Sequence, residues 1–176
     1  MIIHIGDFYF IKAMINVLRN VVCGSGFEDV IFQANMCSTG SLNGVLAGSH
    51  YNRCWTVHSN FVEALERLLF KRYSSIHSIP DMIKEAISCS SVSGEEIERL
   101  LSDAEAIKVL KGYGDFKENL RNGNHGMTPQ FWLVHYLDIM SNLHLLHSAI
   151  QSNNFSLRLH GLKTALPFLF ALNKQN

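Results

Sequence analysis

The chain has 176 residues, enough for one domain with a sizeable core, and its 47% hydrophobic content excludes a disordered chain. Lysine plus arginine and aspartate plus glutamate stand at 15 each, which excludes a strong global pull toward nucleic-acid phosphates or an anionic membrane. Cys23, Cys37, Cys54 and Cys89 lie far apart with no CxxC pair. The start has neither a basic region nor an apolar run of signal-peptide length, and no stretch reaches the roughly 18 apolar residues of a membrane span. These features predict a soluble intracellular protein with free thiols, in the nucleus or the cytoplasm.

In chain order, the isoleucine-rich Met1 to Ile5 predicts one short strand, ended by Gly6 and Asp7. Asp7 then serves as N-cap for a helix in which Phe8, Ile11, Ile15, Leu18 and Val22 recur at three- and four-residue steps, stopped by Gly24-Ser25-Gly26. Phe27 to Met36 repeats the pattern, and a short helical turn follows at Leu42 to Ala47. From His50 to Tyr73 runs a long amphipathic helix with Cys54, Trp55, His58, Phe61, Leu65 and Leu69 on one side. Pro80 opens a helix carrying Met82, Ile83, Ala86 and Ile87. Ser93-Gly94-Glu95-Glu96 spells a capping box for a helix with Ile97, Leu100, Leu101, Ala104 and Ile107 inward, ended by a turn at Gly112-Tyr113-Gly114. A helical piece at Asp115 to Arg121 leads to the loop Asn122 to Gly126. Thr128-Pro129 then starts a long helix reaching about Ser152, and a last helix runs from about Ser156 to Leu172 through Pro167. The prediction is a mainly α fold of seven to nine helices with one short N-terminal strand, forming a single domain over residues 1–176.

Few residues suggest chemistry. Asp7, at the end of the strand, suits a metal-binding carboxylate of phosphoryl transfer, although one carboxylate is not a site and capping explains it as well. His144 and His147 have an HxxH spacing that binds zinc only if two more ligands converge; His135 and Asp138 share that spacing but turn toward another side. Cys54 and His58 stand one helical turn apart, as a thiol and its base would, yet their neighbours read as core. Gly24-Ser25-Gly26 and Gly40-Ser41 lack a P-loop lysine and read as turns. Arg53, Arg67, Lys71 and Arg72 make a modest basic edge, interrupted by Glu63 and Glu66, for which a solvated mixed-charge face is the plainer reading.

Three segments together resemble a known family. They are Ile5-Gly6-Asp7-Phe8-Tyr9-Phe10; Gly24 to Asp29 through Gly48-Ser49-His50-Tyr51-Asn52-Arg53; and Tyr136-Leu137-Asp138 through Leu157 to His160 and Leu166 to Ala171. Their order and spacing are similar to uncharacterised transposon-derived proteins of invertebrate genomes, over nearly the whole chain. The resemblance implies an RNase H-like, DDE-type transposase plan in which three acidic residues hold two metal ions. Asp7 then corresponds to one acid on a core strand, and the following helices to the helical insertion before the last acid. Tyr9 stands where the family usually has histidine, and Asn173 near a position that is often acidic.

The expectation is therefore a fragment of a larger transposase-like protein, a non-catalytic remnant or helical interaction module without a complete active site. The alternative is an incomplete part of a metal-dependent transposase or nuclease completed by another chain, with Asp7 as catalytic and metal ligand and Mg²⁺ as cofactor; otherwise no cofactor is expected. The expected partner is a protein or a second copy. The last helix carries Leu162, Leu166, Phe168, Leu169, Phe170 and Leu172 nearly all round, more than one packing contact can bury. DNA is a second candidate partner; no membrane and no small-molecule substrate is indicated.

Overall fold

A computed structural model describes residues 5–46, 48–89 and 92–172, without the side chains of Ile5, Asp7, Thr39 and Leu172. The order is α1 (Ile5–Val22), α2 (Phe27–Gln33), α3 (Thr39–Leu46), α4 (Tyr51–Ile76), α5 (Asp81–Ser88), α6 (Gly94–Ser102), α7 (Ala104–Arg121), α8 (Met127–Phe131), a π-helical turn (Trp132–Leu137), α9 (Asp138–Gln151) and α10 (Phe155–Leu172). Residues 127–151 form one continuous helix containing the π turn, so the described residues make nine helices. The mainly α expectation holds. The strand expected over Met1 to Ile5 falls, for residues 1–4, outside the described residues, while Ile5 already belongs to α1.

The chain divides into two compact units, residues 1–63 with 131–176, and residues 64–130. In the first, α9 and α10 pack side by side and α1 lies against both. Gly161 and Ala165 are buried, and the space above Gly161 is closed by Leu146 of α9, so small residues let the two helices approach closely. Met14, Ile15, Leu18, Phe27, Ile31, Tyr136 and Leu143 are each under 2% exposed or nearly so and form the core. Gly24 and Gly26 carry positive φ, and that is what stops α1 and aims α2, as the glycine spacing predicts.

The second unit has a thinner core of Tyr73, Ile79, Ile83, Val109, Phe116 and Leu120. The capping box is present: the Ser93 hydroxyl accepts from the Glu96 amide at 3.2 Å, and the Ser93 amide donates to the Glu96 carboxylate at 3.0 Å. The helix it starts is shorter than expected. It ends at Ser102, and Asp103 caps α7 by accepting from the Ala106 amide at 2.8 Å. The turn expected at Gly112-Tyr113-Gly114 is instead continuous α7, which runs to Arg121. The glycine inside the helix answers to packing, because a Cβ on Gly112 would overlap the hydroxyl of Tyr73. Ile97, Leu101 and Ile107, expected inward, are 47%, 57% and 49% exposed.

Candidate functional site

Asp7 lies inside the first turn of α1, two residues after Ile5, instead of at an N-cap, and its side chain is outside the described residues. Among the described residues, no group of three or more His, Cys, Asp or Glu side chains is placed to hold a metal ion. No helix among them is long and apolar enough to cross a membrane.

The histidines of α9 instead surround an aromatic ring. His147 stacks on Trp55 with centroids 4.5 Å apart, and His144 meets the same ring edge-on at 5.0 Å. His144 Nε2 and the Ser59 hydroxyl are 3.0 Å apart. Burial, then the neighbouring His147, lowers the pKa of His144 and so favours the uncharged ring. His135 sits on the exposed side of the π turn near Phe131, apart from this cluster.

Cys54 and His58 are both buried. Burial pushes the Cys54 thiol up to about 11 and the His58 imidazole down to about 4, so both groups are held neutral. A nucleophilic pair needs the opposite, a thiolate beside an imidazolium. His58 Nδ1 is instead hydrogen-bonded to the Tyr136 hydroxyl at 2.9 Å, with its ring stacked on Phe27 at 5.2 Å. The π turn sets Tyr136 in that position by inserting one extra residue into the helical ladder, with the Asp138 amide donating to the Leu133 carbonyl. The pair is core architecture.

Of the basic edge, Arg67 and Lys71 line a depression of about 280 Å³ together with Lys84, Phe70 and Ile87. Lys84 is paired with Asp81 at 2.9 Å and Arg67 donates to the Ile87 carbonyl at 3.4 Å, so these cations are engaged locally. A larger cleft of about 680 Å³ is lined by Tyr73, His77, Glu105, Lys108, Lys111 and Asp115. Along α7 two acids, Glu105 and Asp115, bracket two lysines, Lys108 and Lys111, which gives no single sign of charge to a ligand. Behind it, Glu66 accepts from the Tyr113 hydroxyl at 2.7 Å and from Lys117 at 3.0 Å, a contact that holds α7 against α4.

Apolar side chains are exposed on several helices, and those of α10 line up. On α10, Phe155 is 72% exposed, Leu159 42%, Leu166 42% and Phe170 67%, with Leu162 and Leu169 half-buried between them. At 100° per residue these six side chains fall within an arc of about 100°, turned away from Gly161 and Ala165 on the packed side. With two phenylalanines about two-thirds exposed and two leucines under half exposed, the stripe offers about 400 Å² of apolar area. Arg158 and Lys163 stand on its two flanks, and α10 contains no Asp or Glu. The all-round apolar character of this helix was legible in the sequence. The second uncovered stripe was not: α6 has no buried residue at all, and its Ile97, Leu100 and Leu101 share one face.

No curated protein and no solved structure matches the chain. A family model matches residues 1–176, its whole length, and the chain therefore belongs to the family described as a domain of unknown function, DUF8702.

Proposed function

We propose that this chain is a non-catalytic helical interaction module whose working surface is the apolar stripe of α10. The observation that carries the reading is the exposure of Phe155, Leu159, Leu166 and Phe170 along one helical face. Scattered surface leucines are ordinary, but a continuous stripe at helical spacing fits the face of another helix. The buried, neutral Cys54 and His58 support a structural role for the best-placed reactive pair. A transposon-derived origin rests on the sequence resemblance alone, and a metal-dependent role completed by another chain rests on Asp7 alone.

The test is titration of the purified chain with a fluorescent hydrophobic dye. The reading predicts that the chain either binds the dye or associates, and that Phe155→Ser with Phe170→Ser removes either behaviour without loss of helical circular dichroism. Unchanged dye binding or association in that double variant would place the working surface elsewhere.

A further inference from the structure

We infer that the α10 stripe docks the same stripe of a second copy, the two helices running antiparallel about a two-fold axis; this rests on the interaction reading above and names its partner. The spacing of the stripe points to that occupant. Phe155, Leu159, Leu166 and Phe170 follow one another at steps of four, seven and four residues, so the stripe reads the same from either end of the helix. Exposure has the same symmetry, with 72% and 67% at the two phenylalanines and 42% at both leucines. At 100° per residue the four side chains span about 60° of one face. In an antiparallel pair centred between positions 162 and 163, Phe155 stands opposite the second copy's Phe170 and Leu159 opposite its Leu166, and the two-fold repeats both contacts. A face built for an unrelated helix has no need of that symmetry.

Antiparallel helices also oppose their dipoles, which a parallel pair using the same stripe does not. Charge sets one modest cost. Lys163, exposed about 20° beyond Phe170 at one edge of the stripe, approaches the second copy's Lys163 near the axis, and α10 has no acid to offset it. Both ammonium groups reach solvent at that edge, where the repulsion is screened. Arg158 lies at the opposite edge, about 20° beyond the half-buried Leu169, and has an interaction of its own. The area suffices for a reversible dimer. Two stripes bring together about 800 Å² of apolar surface; at about 60% apolar, the contact with its polar rim comes to about 1,300 Å², the low end of specific interfaces. Because the same face is used on both sides, the contact closes at two copies.

The experiment places opposite charges at positions that the pairing sets against each other. Leu159→Glu and Leu166→Lys are made in separate full chains, with Phe155→Glu and Phe170→Lys as a second pair at the ends of the stripe; all four positions are exposed, and folding is verified by circular dichroism. Mass is followed by sedimentation velocity from about one to about 100 µM, which spans micromolar association. The wild-type mass is expected to rise to that of a dimer and to stop there. Each variant alone is expected to associate about tenfold more weakly or worse, because its charge is set against an apolar side chain and loses water without gaining a partner. Mixed in equal amounts, the two variants of a pair are expected to recover the dimer: the carboxylate of one meets the ammonium of the other, and the second apolar contact of that pair stays intact. A parallel arrangement sets each position against itself and gives no such recovery. Recovery in either pair supports the register, and its absence in both overturns the antiparallel pairing while leaving the α10 stripe as a working surface. Wild-type growth beyond a dimer overturns the closed two-fold as well. A wild type that stays monomeric but binds hydrophobic dye overturns the self-pairing and leaves the interaction reading standing; one that does neither overturns both.

Discussion

His58 is a buried base hydrogen-bonded to the Tyr136 hydroxyl, and its burial has a thermodynamic consequence. Its pKa falls from 6.5 to about 4 on folding, so between those values the folded chain binds fewer protons than the unfolded one. Stability is therefore complete above about pH 6.5, declines as pH falls through the window, and levels off below about pH 4. The full loss is about 3 kcal/mol at about 1.4 kcal/mol per unit. The lowered pKa of His144 acts in the same direction. Urea unfolding at pH 7 and pH 4.5 should show the decline in the wild type and a smaller one in His58→Gln; equal declines would remove His58 as a cause. Sequence spacing placed His58 on the buried face of α4, but its partner is 78 residues away on a π turn, and no local pattern announces such a contact.

Single elements were legible where local chemistry decides them. Ser93 and Glu96 form a capping box through their own backbone, so the motif can be read directly, and Ser93→Ala should cost about 1 kcal/mol by denaturant unfolding. A cost of zero would mean that the second unit does not depend on the start of α6. Gly112 shows where such reading stops. Its neighbours suggest a turn, yet α7 continues through it, and the glycine leaves room for Tyr73, 39 positions earlier in the chain, which occupies the space where a Cβ would stand. Alanine there gains helix propensity of about 1 kcal/mol and still should destabilise, because the Tyr73 hydroxyl, which donates to the Val109 carbonyl at 3.4 Å, must move. In a Tyr73→Phe background the same Gly112→Ala change should cost less. If Gly112→Ala stabilises the wild type, the close approach of Tyr73 is not what keeps this glycine. The outward face of α6 was hidden for the same kind of reason: its periodicity is that of a packed helix, and periodicity does not say what lies opposite.

At the scale of the whole molecule, the proposed interaction module works by surface recognition and not by bond making. The chain should neither cut nor join DNA in Mg²⁺ or Mn²⁺, because in-line phosphoryl transfer uses a clamp of two metals held by several carboxylates. Cleavage that requires metal and is lost in Asp7→Ala would contradict this and promote the transposase-like reading. The measurement that bears most directly on the central claim is the mass of the wild-type chain by light scattering, followed from about one to about 100 µM, which spans micromolar association. The account predicts a mass that rises with concentration, and a constant monomer mass for Phe155→Ser with Phe170→Ser. A wild-type chain that holds the monomer mass throughout and binds no hydrophobic dye would contradict it.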